Sequence, residues 1–397
     1  MKEPKGLGIT LRLVNNTFIS PVYDSLETNI PNSLMQSCDF PFPQGTALFP
    51  AHHVVKEYLH RYAGELSPYI QFQSQVLDVS FMQEKTNPGW AVTWRDLASG
   101  NISTAQFDVV LVANGHHNES HLPAIPGLEE WNRMYPKSII HSSLYRRVQS
   151  FTDENVIVVG QSTSGTDIAN QVSQVSRQPL LISERTTKPS QTTTGATSPN
   201  HHPEITLLDA SNKSIHFANG HIEADVDNII FGTGYHFSVL FFKLPDTPPI
   251  VTTGARPHNL YKHVFYTANP TLAFIGTPLR IARFPFSQTQ AAGTARVFAV
   301  RLGLPSSDET DRWVEWESSA LTSGRGVNSL VFPLDADYIN ELYEISMGAA
   351  LREGPENGGR EKEPPYRGEG GGWTKGRFPA IKKASQVLGR GGRGYEP

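Results

Sequence analysis

Residues 155–185 contain the pattern that most restricts how this chain can fold. An apolar run, 156–159, ends at Gly160, and a helix-like segment begins near Ser164. A second apolar run, 179–183, follows the helix. A strand, a tight glycine turn, a helix and a second strand form the βαβ unit that holds the pyrophosphate of a dinucleotide. The sequence therefore predicts an α/β fold with a nucleotide-binding turn at this position.

The turn matches the dinucleotide fingerprint G-x-G-x-x-G only in part. Gly160 permits the tight turn and Gly165 lets the helix pack close to the strand, but Ser162 replaces the middle glycine. Backbone N–H groups at the helix start, together with the positive end of the helix dipole, attract phosphate. An ordinary βα turn would show the same spacing. We expect the nucleotide to contact Gly160, Ser162, Ser164, Gly165, Thr166 and Asp167.

The end of the second strand indicates which nucleotide is bound. An NAD site usually has an acidic residue there for the ribose 2′-hydroxyl, whereas an NADP site has arginine for the 2′-phosphate. In this chain Glu184 is followed by Arg185, and Lys188 is nearby. Because the planar guanidinium fork matches phosphate oxygens, Arg185 favours NADP over NAD. The alternative is that Arg185 and Lys188 are solvated loop charges.

Composition excludes several classes of protein. The 397 residues carry a net charge of −4, so no basic field indicates nucleic-acid or membrane-surface binding. The single cysteine, Cys38, excludes a disulfide framework and a Cys-x-x-Cys redox centre. No apolar run reaches the roughly 18 residues of a membrane span. The three adjacent histidine pairs, at 52–53, 116–117 and 201–202, share no face of a strand and predict no metal site. We expect a soluble, cytoplasmic protein without nucleic-acid or membrane partners.

Two apolar runs flank the βαβ unit and indicate an inserted domain. Residues 107–112 lead to Asn114 and Gly115, and residues 227–231 lead to a second glycine turn at 232–234. A chain that leaves one nucleotide-binding fold, builds a second and returns would show this arrangement. We therefore predict one domain formed by residues 1–150 and 228–350 and a smaller inserted domain formed by 151–227.

Residues 351–397 are expected to form a disordered tail. From about Gly354, glycine, charged residues and proline dominate, and the apolar periodicity is lost. Such a segment cannot bury enough surface to offset the entropy of ordering it. Its Arg-Gly-Gly repeats at 389–394 are compatible with loose RNA binding, but a solvated tail is the simpler interpretation.

An ordered set of motifs runs through residues 20–345. Residues 135–145 match the fingerprint F-x-G-x-x-x-H-S-x-x-[FY], with Tyr135 and Lys137 replacing the phenylalanine and the glycine. The second half, from His141 to Tyr145, is intact. The other matching segments are 23–31, 39–43, 114–116, 122–128, 160–167, 232–235, 259–276 and 284–292. Together these motifs resemble the flavin-containing monooxygenases, in the form found in fungal members.

The resemblance implies a fold with two Rossmann-like dinucleotide-binding domains, one for FAD and one for NADP. In this family NADPH reduces the flavin, the flavin activates O₂, and one oxygen atom passes to a soft nucleophilic nitrogen or sulfur atom of a small molecule. The cofactor carries out the chemistry, while the protein binds, orients and excludes water. The sequence leaves open whether the protein is a monomer or a homodimer.

The resemblance also assigns site residues. Asn29 matches the family asparagine near the flavin and the nicotinamide, where an amide can donate a hydrogen bond without supplying an acid. The remaining residues expected at the cofactors are Thr28, Ile30, Val76, Asn114, Gly115 and Gly234.

Each of these assignments has a structural alternative. Asn29 could form an Asx-type turn with residues 30–31, and Val76 could be a core valine. Gly115 could have a role only in the conformation of the turn. For His141, a structural role in holding the linker between the two folds is the preferred interpretation.

The chain departs from the family pattern before Tyr23, where a strand and G-x-G-x-x-G would hold the FAD pyrophosphate. Gly6-Leu7-Gly8 does not replace that motif, because no strand precedes it. This predicts an FAD domain that is incomplete at the N-terminus, holds FAD weakly and has little oxygenase activity. The alternatives to a monooxygenase are an NADP-binding pseudoenzyme that has lost FAD and a relative of the pyridine nucleotide–disulfide reductases, which the lack of Cys-x-x-Cys disfavours.

Overall fold

The computed structural model describes residues 20–83, 88–185, 200–242, 248–320 and 328–353, and short stretches at 362–368, 375–377, 380–382 and 384–385. The chain divides into two compact units. Unit 1 comprises Met1–Ser25 and His116–His236, and unit 2 comprises Leu26–Gly115 and Phe237–Pro397.

The helices and strands are numbered in chain order. The α-helices are α1 (Asn32–Met35), α2 (His52–Tyr62), α3 (Leu128–Met134), α4 (Thr163–Val172), α5 (Arg283–Phe298), α6 (Ser307–Ala320) and α7 (Leu334–Met347). Short 3₁₀ helices lie at Gly64–Tyr69, Ser142–Leu144 and Val148–Phe151. The strands are β1 (Ser74–Met82), β2 (Gly89–Asp96), β3 (Ile102–Phe107), β4 (Val110–Val112), β5 (Glu119–Ser120), β6 (Ile139–His141), β7 (Val156–Val159), β8 (Leu181–Ser183), β9 (Asn200–His202), β10 (Ile205–Asp209), β11 (Ser214–Phe217), β12 (Ile222–Ala224), β13 (Asn228–Phe231), β14 (Tyr235–His236), β15 (Leu260–Tyr261), β16 (Phe265–Tyr266) and β17 (Leu272–Phe274).

A parallel five-stranded sheet with the order β6-β13-β7-β8-β9 forms the centre of unit 1. All four residues of β7 are buried, as expected for a continuous apolar run in a parallel sheet that is covered on both faces. Leu128 and Trp131 of α3 belong to the same apolar core. An antiparallel sheet, β10-β11-β12, and the β5–β14 pair complete the unit.

Unit 1 is larger than the predicted insertion of residues 151–227. The sequence assigns residues 228–231 to the other domain, but β13 pairs in parallel with β6 on one side and β7 on the other. In this arrangement Ile229 lies beside Ile139 and Ile157. An apolar run indicates that a strand is buried, but it does not indicate which strand it pairs with. The boundary of unit 1 depends on strand pairing, and the sequence pattern therefore does not predict it.

Unit 2 contains two sheets and most of the helices. Alternating apolar residues between 75 and 107, with turn residues at 87–89 and 99–101, predict an antiparallel meander. The strands β1, β2 and β3 form it, with Gly100 at a positive φ of 77° in the second turn. The second sheet has the order β15-β16-β17-β4, in which β4 runs parallel to β17. Val54, Val55, Tyr58, Leu59 and Tyr62 lie at helical spacing and predict a helix over residues 51–62, where the structure forms α2. In the helical core, the rings of Phe286 in α5 and Tyr338 in α7 stack with centroids 4.6 Å apart.

Part of the predicted tail is ordered. Pro364 and Pro365 are buried. The Arg367 N–H donates to Asn340 Oδ1 at 2.8 Å, and Asn340 Nδ2 donates to the Arg367 carbonyl oxygen at 3.1 Å. Polar contacts with α7 thus place a part of the expected tail, although its composition shows no apolar pattern. Much of the remaining tail, including the Arg-Gly-Gly repeats, lies outside the described residues.

Candidate nucleotide and flavin sites

The turn after β7 has the geometry that the sequence predicts. Gly160 has a φ of +96°, which L side chains rarely adopt, and its N–H donates to the Ser183 carbonyl oxygen at 2.8 Å. Ser162 is the N-cap residue of α4 in an extended conformation, and its side chain makes no capping bond. The chain therefore reverses within Gly160 and Gln161 and enters the helix directly.

Three glycines meet where β7, α4 and the end of β13 come together. A Cβ on Gly165 would lie 1.9 Å from the Gly160 carbonyl oxygen, and a Cβ on Gly160 would lie 2.9 Å from the Gly232 carbonyl oxygen. A Cβ on Gly232 would lie 2.7 Å from the Gly165 Cα atom. These close approaches give Gly165 the packing role predicted for it. Gly232 is thus a further residue of this turn, and the glycine turn after residues 227–231 is the sequence signal that indicates it.

The first turn of α4 presents free backbone donors. The first helical bond is donated by the Thr166 N–H to the Ser162 carbonyl oxygen at 2.9 Å, so the amides of Thr163, Ser164 and Gly165 have no partner within the helix. Together with the helix dipole, these amides form a site for an anion. The residues around this turn therefore fit the pyrophosphate of a dinucleotide.

Two of the predicted contact residues are engaged with the protein. The Thr166 hydroxyl donates to the Gln161 carbonyl oxygen at 3.2 Å, which supports the turn. The Asp167 carboxylate accepts hydrogen bonds from the Tyr23 hydroxyl and, at 3.0 Å, from Gln171 Nε2. Burial and this carboxylate raise the pKa of Tyr23. A carboxylate also repels phosphate, so the contacts of Asp167 favour a role in anchoring the Tyr23 segment to α4 rather than a contact with nucleotide.

The residues after β8 have different surroundings. Glu184, at the position that would favour NAD, lies 3.3 Å from His201 Nδ1, and its side chain is 20% exposed. Arg185 is exposed, and its guanidinium makes no hydrogen bond or ion pair with another described residue. Lys188 lies outside the described residues. Because β8 is the parallel neighbour of β7, Arg185 follows the sheet edge that also carries the Gly160 turn.

Gly234 has a structural role in unit 1. Its φ is +80°, and its carbonyl oxygen accepts from the His121 N–H at 2.9 Å. The Ser143 N–H donates to His141 Nδ1 at 3.1 Å, so the proton of the imidazole is on Nε2, which donates to the same Gly234 oxygen at 3.0 Å. Burial lowers the pKa of His141 to about 4. These contacts favour the structural interpretation of His141, within unit 1 rather than in a linker.

The predicted flavin residues Thr28, Asn29 and Ile30 form a short irregular segment of unit 2. The Thr28 N–H donates to the Pro50 carbonyl oxygen at 3.0 Å, and its hydroxyl donates to the Ile30 carbonyl oxygen at 2.9 Å. Asn29 is exposed, and its amide makes no hydrogen bond with any described residue. The alternative of an Asx-type turn is therefore not formed, and the amide is available for a ligand.

Three further predicted residues lie at strand ends or irregularities of unit 2. Val76 is 42% exposed and adjoins a register shift between β1 and β2, so it is not a core valine. Beside it, the Gln75 Oε1 atom is buried without a partner among the described residues. Asn114 and Gly115 follow β4 and are exposed. Gly115 has a φ of +69°, and an added Cβ would meet no atom within 4 Å. The open backbone at these positions fits the approach of a bulky cofactor.

Across the described ranges, no group of three or more His, Cys, Asp or Glu side chains is arranged to hold a metal ion. Among the same residues, no helix combines the length and apolarity needed to cross a bilayer.

The fold and the glycine turn define an α/β protein of the class with two dinucleotide-binding domains. The sequence profile described as "FMO-like: Flavin-binding monooxygenase-like" matches residues 14–189 and 189–352. The chain belongs to this family, and the predicted resemblance and fold class are confirmed.

Named relatives are similar over most of this chain. The thiol-specific monooxygenase of Saccharomyces cerevisiae is 30% identical over 347 residues, which are 84% of this chain and 75% of the relative. Flavin-containing monooxygenase FMO GS-OX-like 7 of Arabidopsis thaliana is 35% identical over 306 residues, 74% of this chain. This chain spans 63% of the Arabidopsis protein.

Solved structures show the same fold. The S-allyl-L-cysteine S-oxygenase of Allium sativum superposes with a TM-score of 0.76 and 27% identity, covering 92% of this chain and 80% of that structure. Tmm from Pelagibacter sp. strain HTCC7211 superposes with a TM-score of 0.70, covering 91% of this chain and 76% of that structure, and at 21% identity it supports the fold alone.

Proposed function

We propose that the protein is an FAD- and NADPH-dependent monooxygenase that transfers one oxygen atom of O₂ to the sulfur of a small molecule. The balanced reaction converts a thioether, NADPH, a proton and O₂ into a sulfoxide, NADP⁺ and water. Sulfur is preferred over nitrogen because similar proteins are named a thiol-specific monooxygenase and an S-oxygenase. The observation that carries the proposal is the glycine-packed turn at Gly160 and Gly165 in a chain of this family.

The nucleotide would be held in unit 1 by backbone donors and one cation. The amides of Ser164 and Gly165 would bind the pyrophosphate, with Ser162 at the helix start adding a hydroxyl. Arg185 would bind the 2′-phosphate through its guanidinium fork. The engagement of Glu184 with His201 supports this choice, because of the two described residues that follow β8 it leaves Arg185 without a partner among the described residues.

The flavin would be held in unit 2 by the segments around Thr28–Ile30, Val76 and Asn114–Gly115. A bound flavin would supply the chemistry of hydride acceptance from NADPH and of O₂ activation. The protein supplies orientation and exclusion of water. The free amide of Asn29 would donate a hydrogen bond to the reacting oxygen without supplying a proton that releases H₂O₂.

The proposal is tested with purified protein, FAD, NADPH and ¹⁸O₂. A thioether and a tertiary amine of similar size are offered separately, and mass spectrometry measures ¹⁸O in each product. We expect one ¹⁸O atom in the sulfoxide and a lower rate with the amine. Absence of ¹⁸O from both products would refute the oxygenase, and incorporation into the amine alone would refute the preference for sulfur.

A further inference from the structure

A lysine from the C-terminal segment, of which the structure describes residues 362–368, 375–377, 380–382 and 384–385, lies against the residues that carry Asn29. The Lys382 ammonium lies 2.9 Å from the Thr28 carbonyl oxygen and 2.9 Å from Glu27 Oε2. It also lies 4.6 Å from the centroid of the Phe49 ring. All of these residues belong to unit 2. The ammonium thus has three partners, of which one is the backbone immediately before Asn29.

The contact with Thr28 acts on the conformation of Asn29. The Thr28 carbonyl group and the Asn29 nitrogen belong to one planar peptide unit, so a donor that fixes the oxygen also fixes the plane from which Asn29 projects. On its other side the segment is held by the bond from the Thr28 N–H to the Pro50 carbonyl oxygen. The His52 N–H adds a bond to the Leu26 carbonyl oxygen at 2.9 Å. Residues 26–31 form no helix or strand beyond the isolated bridge between Glu27 and Ala51, so their position depends on contacts of this kind.

The Lys382 side chain is largely buried, so its ammonium depends on the three partners for stabilisation. Its side chain is only 12% exposed, whereas the Glu27 side chain is 53% exposed. A largely desolvated ammonium is unfavourable unless it is paired and hydrogen-bonded. The Glu27 carboxylate, the Thr28 carbonyl and the face of Phe49 together meet that requirement. Lys382 therefore makes a specific, largely buried contact with these residues, unlike a solvated lysine at the surface.

Two more cations anchor the same C-terminal segment. Arg367 Nη2 donates to the Leu34 carbonyl oxygen at 2.8 Å, in the last turn of α1, where helix carbonyls lack helical partners. Lys375 Nζ lies 3.0 Å from Asp335 Oδ2 in α7, and both side chains are at least nine-tenths buried. These described residues thus contact α7 through Lys375 and the backbone of residues 28–35 through Arg367 and Lys382.

We propose that three cations of the described C-terminal residues, Arg367, Lys375 and Lys382, form a cationic strap that holds residues 26–35 in position, and that Lys382 is a positioning residue for Asn29. This inference rests on the proposed function only for the role of Asn29. The strap itself is a property of unit 2. It follows that the charge and reach of the residue at position 382 control how precisely the Asn29 amide is oriented.

The strap is tested by hydrogen exchange of the full chain. Lys382→Met keeps the apolar stem but removes the charge, and Lys382→Arg keeps the charge. The matched control is Lys56→Met on the exposed face of α2. In Lys382→Met we expect exchange of the amides in residues 26–32 and 48–52 to rise about tenfold, as for the loss of one hydrogen bond to a charged group. Lys382→Arg should restore protection, and Lys56→Met should not change it.

The role in the reaction is measured on the same variants. The ratio of sulfoxide to H₂O₂ formed per NADPH should fall in Lys382→Met, with the KM for NADPH unchanged, and recover in Lys382→Arg. Unchanged exchange in Lys382→Met would overturn the strap. Raised exchange with an unchanged product ratio would overturn the positioning role. If the wild-type chain oxygenated no substrate, the proposed function would be refuted. The exchange measurement would still show whether the strap exists.

Discussion

Replacing Gly165 with alanine tests whether the turn after β7 is a nucleotide site. The new Cβ would lie 1.9 Å from the Gly160 carbonyl oxygen. Real Cβ atoms do not approach backbone within 3.0 Å, so the carbonyl must move by more than 1 Å. It cannot do so freely, because the Gly160 N–H is bonded to Ser183 and its Cα faces the Gly232 carbonyl oxygen. We expect α4 to be pushed away from β7.

The expected effects are large enough to measure. Overpacking of this kind costs about 1–3 kcal/mol, which corresponds to a fall in Tm of about 2–12 °C for a domain of ~200 residues. Displacing the helix N-terminus would also weaken at least one charge-assisted hydrogen bond to phosphate, worth about 1.5–3 kcal/mol. The Kd for NADP⁺ should therefore rise about 10- to 100-fold.

The assay is isothermal titration of NADP⁺ together with thermal unfolding. The matched control is Gly64→Ala, because an added Cβ there meets nothing within 4 Å and no unusual backbone conformation is required. We expect this variant to bind and unfold like the wild type. A Gly165→Ala variant with a lowered Tm but an unchanged Kd would refute nucleotide binding at the turn, and an unchanged Tm would refute the close packing.

Three further changes test other parts of the site. Arg185→Ala should weaken NADPH binding by about 1.5–3 kcal/mol and leave NADH binding nearly unchanged; an equal loss for both nucleotides in parallel titrations would contradict the assignment. Asn29→Ala should raise the H₂O₂ formed per NADPH without altering the Kd for NADP⁺, and an unaltered yield of oxygenated product would remove Asn29 from the reaction. Burial lowers the pKa of His141 from 6.5 to about 4, so between these pH values the unfolded chain binds a proton that the folded chain does not. The free energy of unfolding should therefore fall with falling pH, by at most about 1.4 kcal/mol per unit from this group. Urea unfolding of wild type and His141→Gln at pH 7, 6 and 5 measures the slope, which should be shallower in the variant.

The sequence by itself determined the features that depend on residues close together in the chain. The apolar run 156–159 predicted a buried parallel strand, because both faces of such a strand are covered. Gly160 and Gly165 were assigned their roles from spacing, because a strand that turns directly into a helix brings residues five positions apart into contact. The helix α2 and the meander of β1 to β3 followed in the same way from periodicity.

Only the tertiary structure decided which distant residues meet. Asp167 lies in the motif of the nucleotide loop, but its carboxylate accepts a hydrogen bond from the hydroxyl of Tyr23, 144 positions away. The strand β13 and Gly232 join the sheet of β7, although the sequence assigned residues 228–231 to the other domain. Lys382 reaches the Thr28 carbonyl oxygen from 354 positions away in a segment without apolar pattern. Periodicity and spacing report burial and local geometry, whereas these contacts depend on how separate elements pack, and that is decided by the whole chain.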